Sequence, residues 1–137
     1  MFMKKKIRAK NFDGELHKIP EMRGWVDEQL QAFQVGEEIS LGIRLAITEA
    51  LSNIFKYAYQ NEAVKPVRIT VCVDEARVQL SLRDFGEPMN LLEYQPPDLT
   101  KAAPGGYGIF LINKLMDGVQ YFPRDVGTEL IIWKKWK

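Results

Sequence analysis

Cysteine, histidine and long apolar runs are all scarce in this sequence, and each scarcity closes off a class of protein. The single cysteine, Cys72, rules out an internal disulfide and any cysteine-rich zinc site. The single histidine, His17, falls in a polar stretch before Pro20 and reads as a surface residue. No segment approaches the roughly 18 consecutive apolar residues of a membrane-spanning helix. The opening MFMKKKIRAK lacks the apolar core of a signal peptide, so a soluble cytoplasmic protein is expected, with no membrane partner. Net charge is nearly absent too, +1 from 19 basic and 18 acidic residues, which removes any global electrostatic reason to expect nucleic acid.

What is present suits one globular domain spanning residues 1–137, since 46% of the residues are hydrophobic and 27% charged. Residues 2–10 mix apolar and basic side chains and predict an edge strand blunted by lysines. Pro20 suits a first helical position, and Met22, Trp25, Val26, Leu30 and Phe33 give an apolar face to a helix over about 20–33, ended by Val35 and Gly36. A second helix is expected from Glu37 to about Tyr59, with Ile43, Ile47, Ala50, Ile54 and Ala58 as its buried stripe. PVRITVCVD and RVQLSLR alternate around a turn at Asp74–Ala76 and predict a hairpin, with Cys72 as a packing residue. The stretch from Phe85 to Gly106 carries four prolines and three glycines and reads as a long functional loop. Tyr107–Met116 has helical spacing, and Val119–Phe122 with Thr128–Trp133 form a closing hairpin. The order β, α, α, β, β, loop, α, β, β implies an α/β (α+β) two-layer sandwich, helices on one face of a mixed, mostly antiparallel sheet.

Four short stretches carry chemistry. In ITEALSNIFKYAY, Glu49, Asn53 and Lys56 follow at spacings of four and three residues and share a helical face opposite the apolar stripe. Asn53 offers a neutral oxygen to Mg²⁺, Glu49 can polarise a hydroxyl or a water, and Lys56 can meet phosphate. An ordinary solvated helix face has the same composition. In LRDFGEP, Asp84 at a strand end can accept from an adenine amino group while Gly86 lets a flat base approach the backbone; a plain strand-ending turn reads the same way. GGYG, comprising Gly105, Gly106, Tyr107 and Gly108, opens a helix as a phosphate cradle does, without the GK[ST] of a P-loop. Gly127 and Thr128 open the last strand, where a hydroxyl can join base recognition.

In that order, EALSNIFKYAY, DFGEP, GGYGIFLINKLMD and a late GT resemble the four nucleotide-binding boxes of the GHKL ATPase superfamily, and most closely its branch of anti-sigma-factor serine/threonine kinases. The resemblance covers essentially the whole chain and implies a Bergerat-type ATP-binding fold. It implies Glu49 as catalytic base, Asn53 as the Mg²⁺ ligand, and Lys56 near the phosphates. It also implies Asp84 on the adenine amine, Gly86 beneath the base, Gly105, Gly106 and Gly108 around the phosphates, and Thr128 closing the adenine end. The loop over 91–104 corresponds to the family's ATP lid, with Lys101 its one basic residue. ATP and Mg²⁺ are the implied cofactors. The implied activity is phosphorylation of an anti-sigma-factor antagonist by a protein that also sequesters a sigma factor, and a homodimer is implied with it. One departure keeps other readings open. The branch usually has histidine where this chain has Tyr57, as sensor histidine kinases of the superfamily do not, and that change is expected to alter packing more than nucleotide binding. The alternatives are a non-catalytic nucleotide-dependent binding module and a histidine-kinase-type domain acting in trans.

Overall fold

A computed structural model describes residues 5–60, 64–87 and 107–136. In chain order the described elements are β1 (Lys6–Gly14), a 3₁₀ turn (Leu16–Lys18), α1 (Ile19–Ala32), α2 (Glu37–Asn53), a π-helical turn (Ile54–Ala58), β2 (Lys65–Val73), β3 (Arg77–Arg83), α3 (Tyr107–Leu115), β4 (Gly118–Pro123) and β5 (Thr128–Lys135). The strands form one sheet in the order β1-β2-β3-β5-β4, and all four pairings are antiparallel. Strand alternation sends Val67, Ile69, Val71 and Val73 of β2, Val78, Leu80 and Leu82 of β3, and Leu130 and Ile132 of β5 into the core. The opposite face, including Arg68, Cys72 and Trp133, remains at least partly open to solvent. The expected two-layer α+β sandwich is therefore what the chain builds. Among the described residues no helix is long and apolar enough to cross a membrane.

Helices α1 and α2 supply the other half of the core. Ile19, Met22, Val26 and Leu30 recur every three or four residues along α1 and are all buried. Along α2 and the π turn the whole predicted stripe, Ile43, Ile47, Ala50, Ile54 and Ala58, is buried, with Ala46, Leu51 and Phe55 beside it.

Three boundaries differ from the sequence expectation for identifiable reasons. Strand β1 runs to Gly14, because Phe12 pairs with Val67 and is the first of its residues to reach the core; Lys6 to Asn11 are exposed. Helix α1 ends at Ala32, where Gln34 takes the left-handed conformation (φ 62°) and the Val35 amide returns to the Leu30 carbonyl at 2.9 Å. That closing pattern usually recruits glycine, whereas Gly36 here caps the start of α2. The second helix is α-helical only to Asn53; its last turn widens, and the Tyr59 amide bonds back five residues to the Ile54 carbonyl at 2.9 Å. Cys72 belongs to the open sheet face rather than the core, half-buried in register with Ile7 and Gln79.

The buried face of α2 can be checked with two residues on one helix. Ile47 is fully buried and Leu45 is 45% exposed. Ile47→Ala should lower the unfolding free energy by about 2–5 kcal/mol in a denaturant titration, and Leu45→Ala should change it by no more than about 0.5 kcal/mol. Equal costs would contradict the orientation of α2.

Candidate functional site

The site assembles where the end of β3, the start of β5 and the C-terminal part of α2 converge. Ala50, Asn53 and Ile54 from the helix line a narrow crevice with Asp84, Tyr121, Thr128 and Leu130 from the sheet side. Three of the residues singled out in the sequence, Asn53, Asp84 and Thr128, thus meet although up to 75 positions separate them (128 minus 53). The crevice is tight: it holds about 10 Å³, no more than a water's worth. A purine therefore enters only if the flanking side chains move apart.

Asp84 is the chemical centre of this crevice. Only 5% of its surface is exposed, and the adjacent Arg83 guanidinium, which donates to the Asp84 backbone carbonyl, offsets its charge only in small part. Its carboxylate accepts from the Gly86 amide at 3.1 Å, closing a tight turn, and its own amide donates to the Thr128 carbonyl at 3.0 Å. Burial pushes the carboxyl pKa up, and the Gly86 and Thr128 amides oppose that shift only in part. A carboxylate in this state gains from a ligand that donates a hydrogen bond to it.

Asn53 carries a complementary signal. Its side-chain Nδ2 is buried and has no hydrogen-bond partner among the described residues. The two ends of a carboxamide exchange by a flip, so the same position can present an oxygen. A buried amide without a partner normally costs stability, which is explained where a ligand completes it. Glu49 lies one turn earlier on α2, half-buried. The described residues contain no cluster of three or more His, Cys, Asp or Glu side chains, so a divalent ion here would rely on phosphate oxygens and water, as Mg²⁺ commonly does.

Other predicted site residues are less close. Lys56 lies on the π turn and is exposed; the wider turn breaks the three-residue spacing expected to align it with Asn53. Tyr57 is 56% exposed, so it contributes to the surface and not to packing as expected. Tyr107 and Gly108 begin α3, where first-turn amides have no intrahelical partner. Lys101, Gly105, Gly106 and the loop over 91–104 lie outside the described residues.

Gly86 and Gly127 turn out to be required by the backbone. A Cβ on Gly86 would overlap the Ala58 carbonyl, and one on Gly127 (φ 76°) would overlap the Asp84 carbonyl. Tyr59 is the residue to which the sequence assigned no role: its hydroxyl accepts from the Phe85 amide at 2.8 Å and donates to the Pro66 carbonyl at 2.5 Å. No local pattern could reveal this, because the two ends of the bond lie 26 residues apart. A larger cleft of about 460 Å³, lined by Tyr59, Lys65, Phe85, Arg124 and Val126 among others, lies beside Gly86 without reaching Asp84, Asn53 or Thr128. We assign the site to the smaller crevice because it holds the buried carboxylate and the unpartnered amide, whereas the larger cleft reaches neither.

Two tests follow from this geometry. Gly86→Ala should destabilise the protein by at least about 1 kcal/mol, while Gly42→Ala in α2, with open space around its Cβ, should stabilise it by about 0.5–1 kcal/mol. A tolerated Gly86→Ala would contradict the close approach to Ala58. For Asp84, whose pKa is raised on folding, the contribution to stability is complete below the ordinary value of 3.8 and is lost as pH rises through the folded value. The stability of the wild type relative to Asp84→Asn should therefore fall as pH rises above about 4. Denaturant unfolding of both proteins across that range checks it, and a difference that grows in favour of the wild type would reverse the sign.

The model of the histidine kinase-like ATPase domain family matches residues 12–134. Among curated proteins, the serine-protein kinase RsbW of Oceanobacillus iheyensis is 29% identical over 86 residues, covering 57% of this chain and 54% of that protein. RsbW of Bacillus mycoides is 31% identical over 100 residues, 67% of this chain and 61% of the relative. The anti-sigma F factor of Clostridium perfringens is 28% identical over 98 residues, 68% and 70% respectively. The matches to the two RsbW proteins thus span only between half and two thirds of their length. Among solved structures, the RsbU and RsbW domains of a Mycobacterium tuberculosis protein share the fold, with a TM-score of 0.69 at 14% identity over 94% of this chain and 31% of that one. The chain belongs to the histidine kinase-like ATPase domain family, a class of ATP-binding domains.

Proposed function

We propose that this chain is a single-domain, Mg²⁺- and ATP-dependent serine/threonine protein kinase acting as a cytoplasmic anti-sigma factor. In this reading it phosphorylates an anti-sigma-factor antagonist and sequesters a sigma factor, with a homodimer as the working form. The observation that carries it is the convergence of Asn53, Asp84 and Thr128 on one crevice, where a buried carboxylate and a buried unpartnered amide both await a ligand. The names of the relatives supply the partners.

Asp84 and Thr128 hold the adenine end, with Gly86 beneath the base. Asn53 would hold the metal through its side-chain oxygen, and a bound Mg²⁺ would supply positive charge toward the phosphates. Lys101, Gly105, Gly106, Tyr107 and Gly108 would surround the phosphates, with Lys56 reaching them from its widened turn only by its long side chain. Glu49 accepts the proton of the attacking serine hydroxyl as its oxygen bonds to the γ-phosphorus and the bond from that phosphorus to the ADP oxygen breaks. Exposed Lys6, Arg8 and Lys10 on the edge strand β1 leave that edge available to a second copy only if charge is offset there.

The test uses purified protein, a candidate antagonist, labelled ATP and Mg²⁺. Acid-stable label on the antagonist is expected, and Glu49→Ala should reduce the transfer rate by about 10²–10⁴-fold while ATP binding persists. Full transfer by Glu49→Ala overturns the role of Glu49, acid-labile product points to histidine phosphorylation instead, and tight ATP binding without any transfer points to a nucleotide-dependent binding module.

A further inference from the structure

We propose that Tyr59 is a positioning residue for nucleobase recognition: its hydroxyl fixes the Asp84–Glu87 segment at the depth from which the Asp84 carboxylate selects adenine over guanine. The inference rests on the nucleotide-binding reading above and adds to it a residue outside the crevice.

The backbone amides of the segment account for the claim. Asp84 N–H donates to the Thr128 carbonyl (3.0 Å), Gly86 N–H to the Asp84 carboxylate (3.1 Å), and Glu87 N–H to the Ala58 carbonyl (2.8 Å). The remaining amide, that of Phe85, is satisfied by the Tyr59 hydroxyl at 2.8 Å. All four amides are thus spoken for, and Tyr59 is the one side chain from another element among their acceptors. Its direction is fixed as well. A phenol has one proton, and Tyr59 gives it to the Pro66 carbonyl at 2.5 Å, so only a lone pair can face Phe85. The ring itself is 3% exposed and tilted against Phe55 with centroids 6.1 Å apart, which leaves it little freedom to swing away. Tyr59 therefore pins Phe85 relative to the start of β2, immediately beside the carboxylate that meets the base.

Position matters here because adenine presents an amino group where guanine presents a carbonyl oxygen. A carboxylate held at the right depth accepts from the first and repels the second. When the pin is lost, the segment keeps its other three bonds but gains freedom at Phe85, and discrimination falls before binding does.

The experiment measures ATP and GTP dissociation constants by calorimetry, with Mg²⁺, for the wild type and for Tyr59→Phe, which removes the hydroxyl and keeps the ring. The ratio of GTP to ATP dissociation constants should fall roughly tenfold in Tyr59→Phe. A change confined to overall stability would leave this ratio where it was, so an unchanged ratio overturns the inference. If the wild type binds ATP and only the ratio test fails, the nucleotide reading stands; if the wild type binds no ATP, both fall together. Amide hydrogen exchange on the wild-type protein keeps the claim testable even if Tyr59→Phe does not fold. The Phe85 amide should be protected without nucleotide and exchange more slowly still with ATP, and exchange at open-chain rates would contradict the pin.

Discussion

A carboxylate held out of water and met mainly by backbone amides is the constraint around which the rest of this molecule is arranged. Asp84 is 5% exposed, and the Gly86 and Thr128 amides meet its oxygens while the Arg83 charge adds a smaller offset. Such a group is expensive in the ligand-free protein, and burial accordingly drives its pKa up. Holding it there takes three elements at once: β3 delivers it, the Thr128 carbonyl of β5 fixes its amide, and the end of the second helix presses against the following turn. Stability is given up at one point of the fold, and a hydrogen-bond donor from a ligand is the kind of partner that restores it.

The π turn over Ile54–Ala58 explains how the helix can do this. The wider turn places the Ala58 carbonyl where it accepts from Glu87 and lies against Gly86. The same turn sets the Tyr59 hydroxyl between Phe85 and Pro66. Local widening of this sort weakens helical hydrogen bonding and persists where surrounding contacts fix it, often beside functional sites. Lys56 and Tyr57 are exposed on this turn, so it presents its polar side to solvent while Phe55, Ala58 and Tyr59 stay buried.

Much of this was readable in the residues, and the rest was not for definite reasons. The helix stripe from Ile43 to Ala58 and the alternation of β2, β3 and β5 were plain because burial follows local periodicity. Asp84, Asn53 and Thr128 were legible as chemistry from their types and neighbours, and the fold brings them together. The span of β1 was misplaced because Lys6 to Asn11 are exposed on both sides and give no one-faced signal; only pairing with β2 fixes it. Gln34 occupies a left-handed position that composition would assign to Gly36. Tyr59 and the backbone demand for Gly86 depend on contacts with residues more than twenty positions away, which no window along the chain contains.

The family match gives the class of ligand, and the proposal seats it at the crevice beside Asp84. The most direct measurement is a crystal structure with Mg²⁺ and a non-hydrolysable ATP analogue. The adenine amino group is predicted to lie within hydrogen-bonding distance of the Asp84 carboxylate, the crevice having widened to admit the ring, with the metal on the side chain of Asn53. A base seated instead in the larger cleft, against Lys65 and Arg124 and away from Asp84, would contradict the assignment of the site.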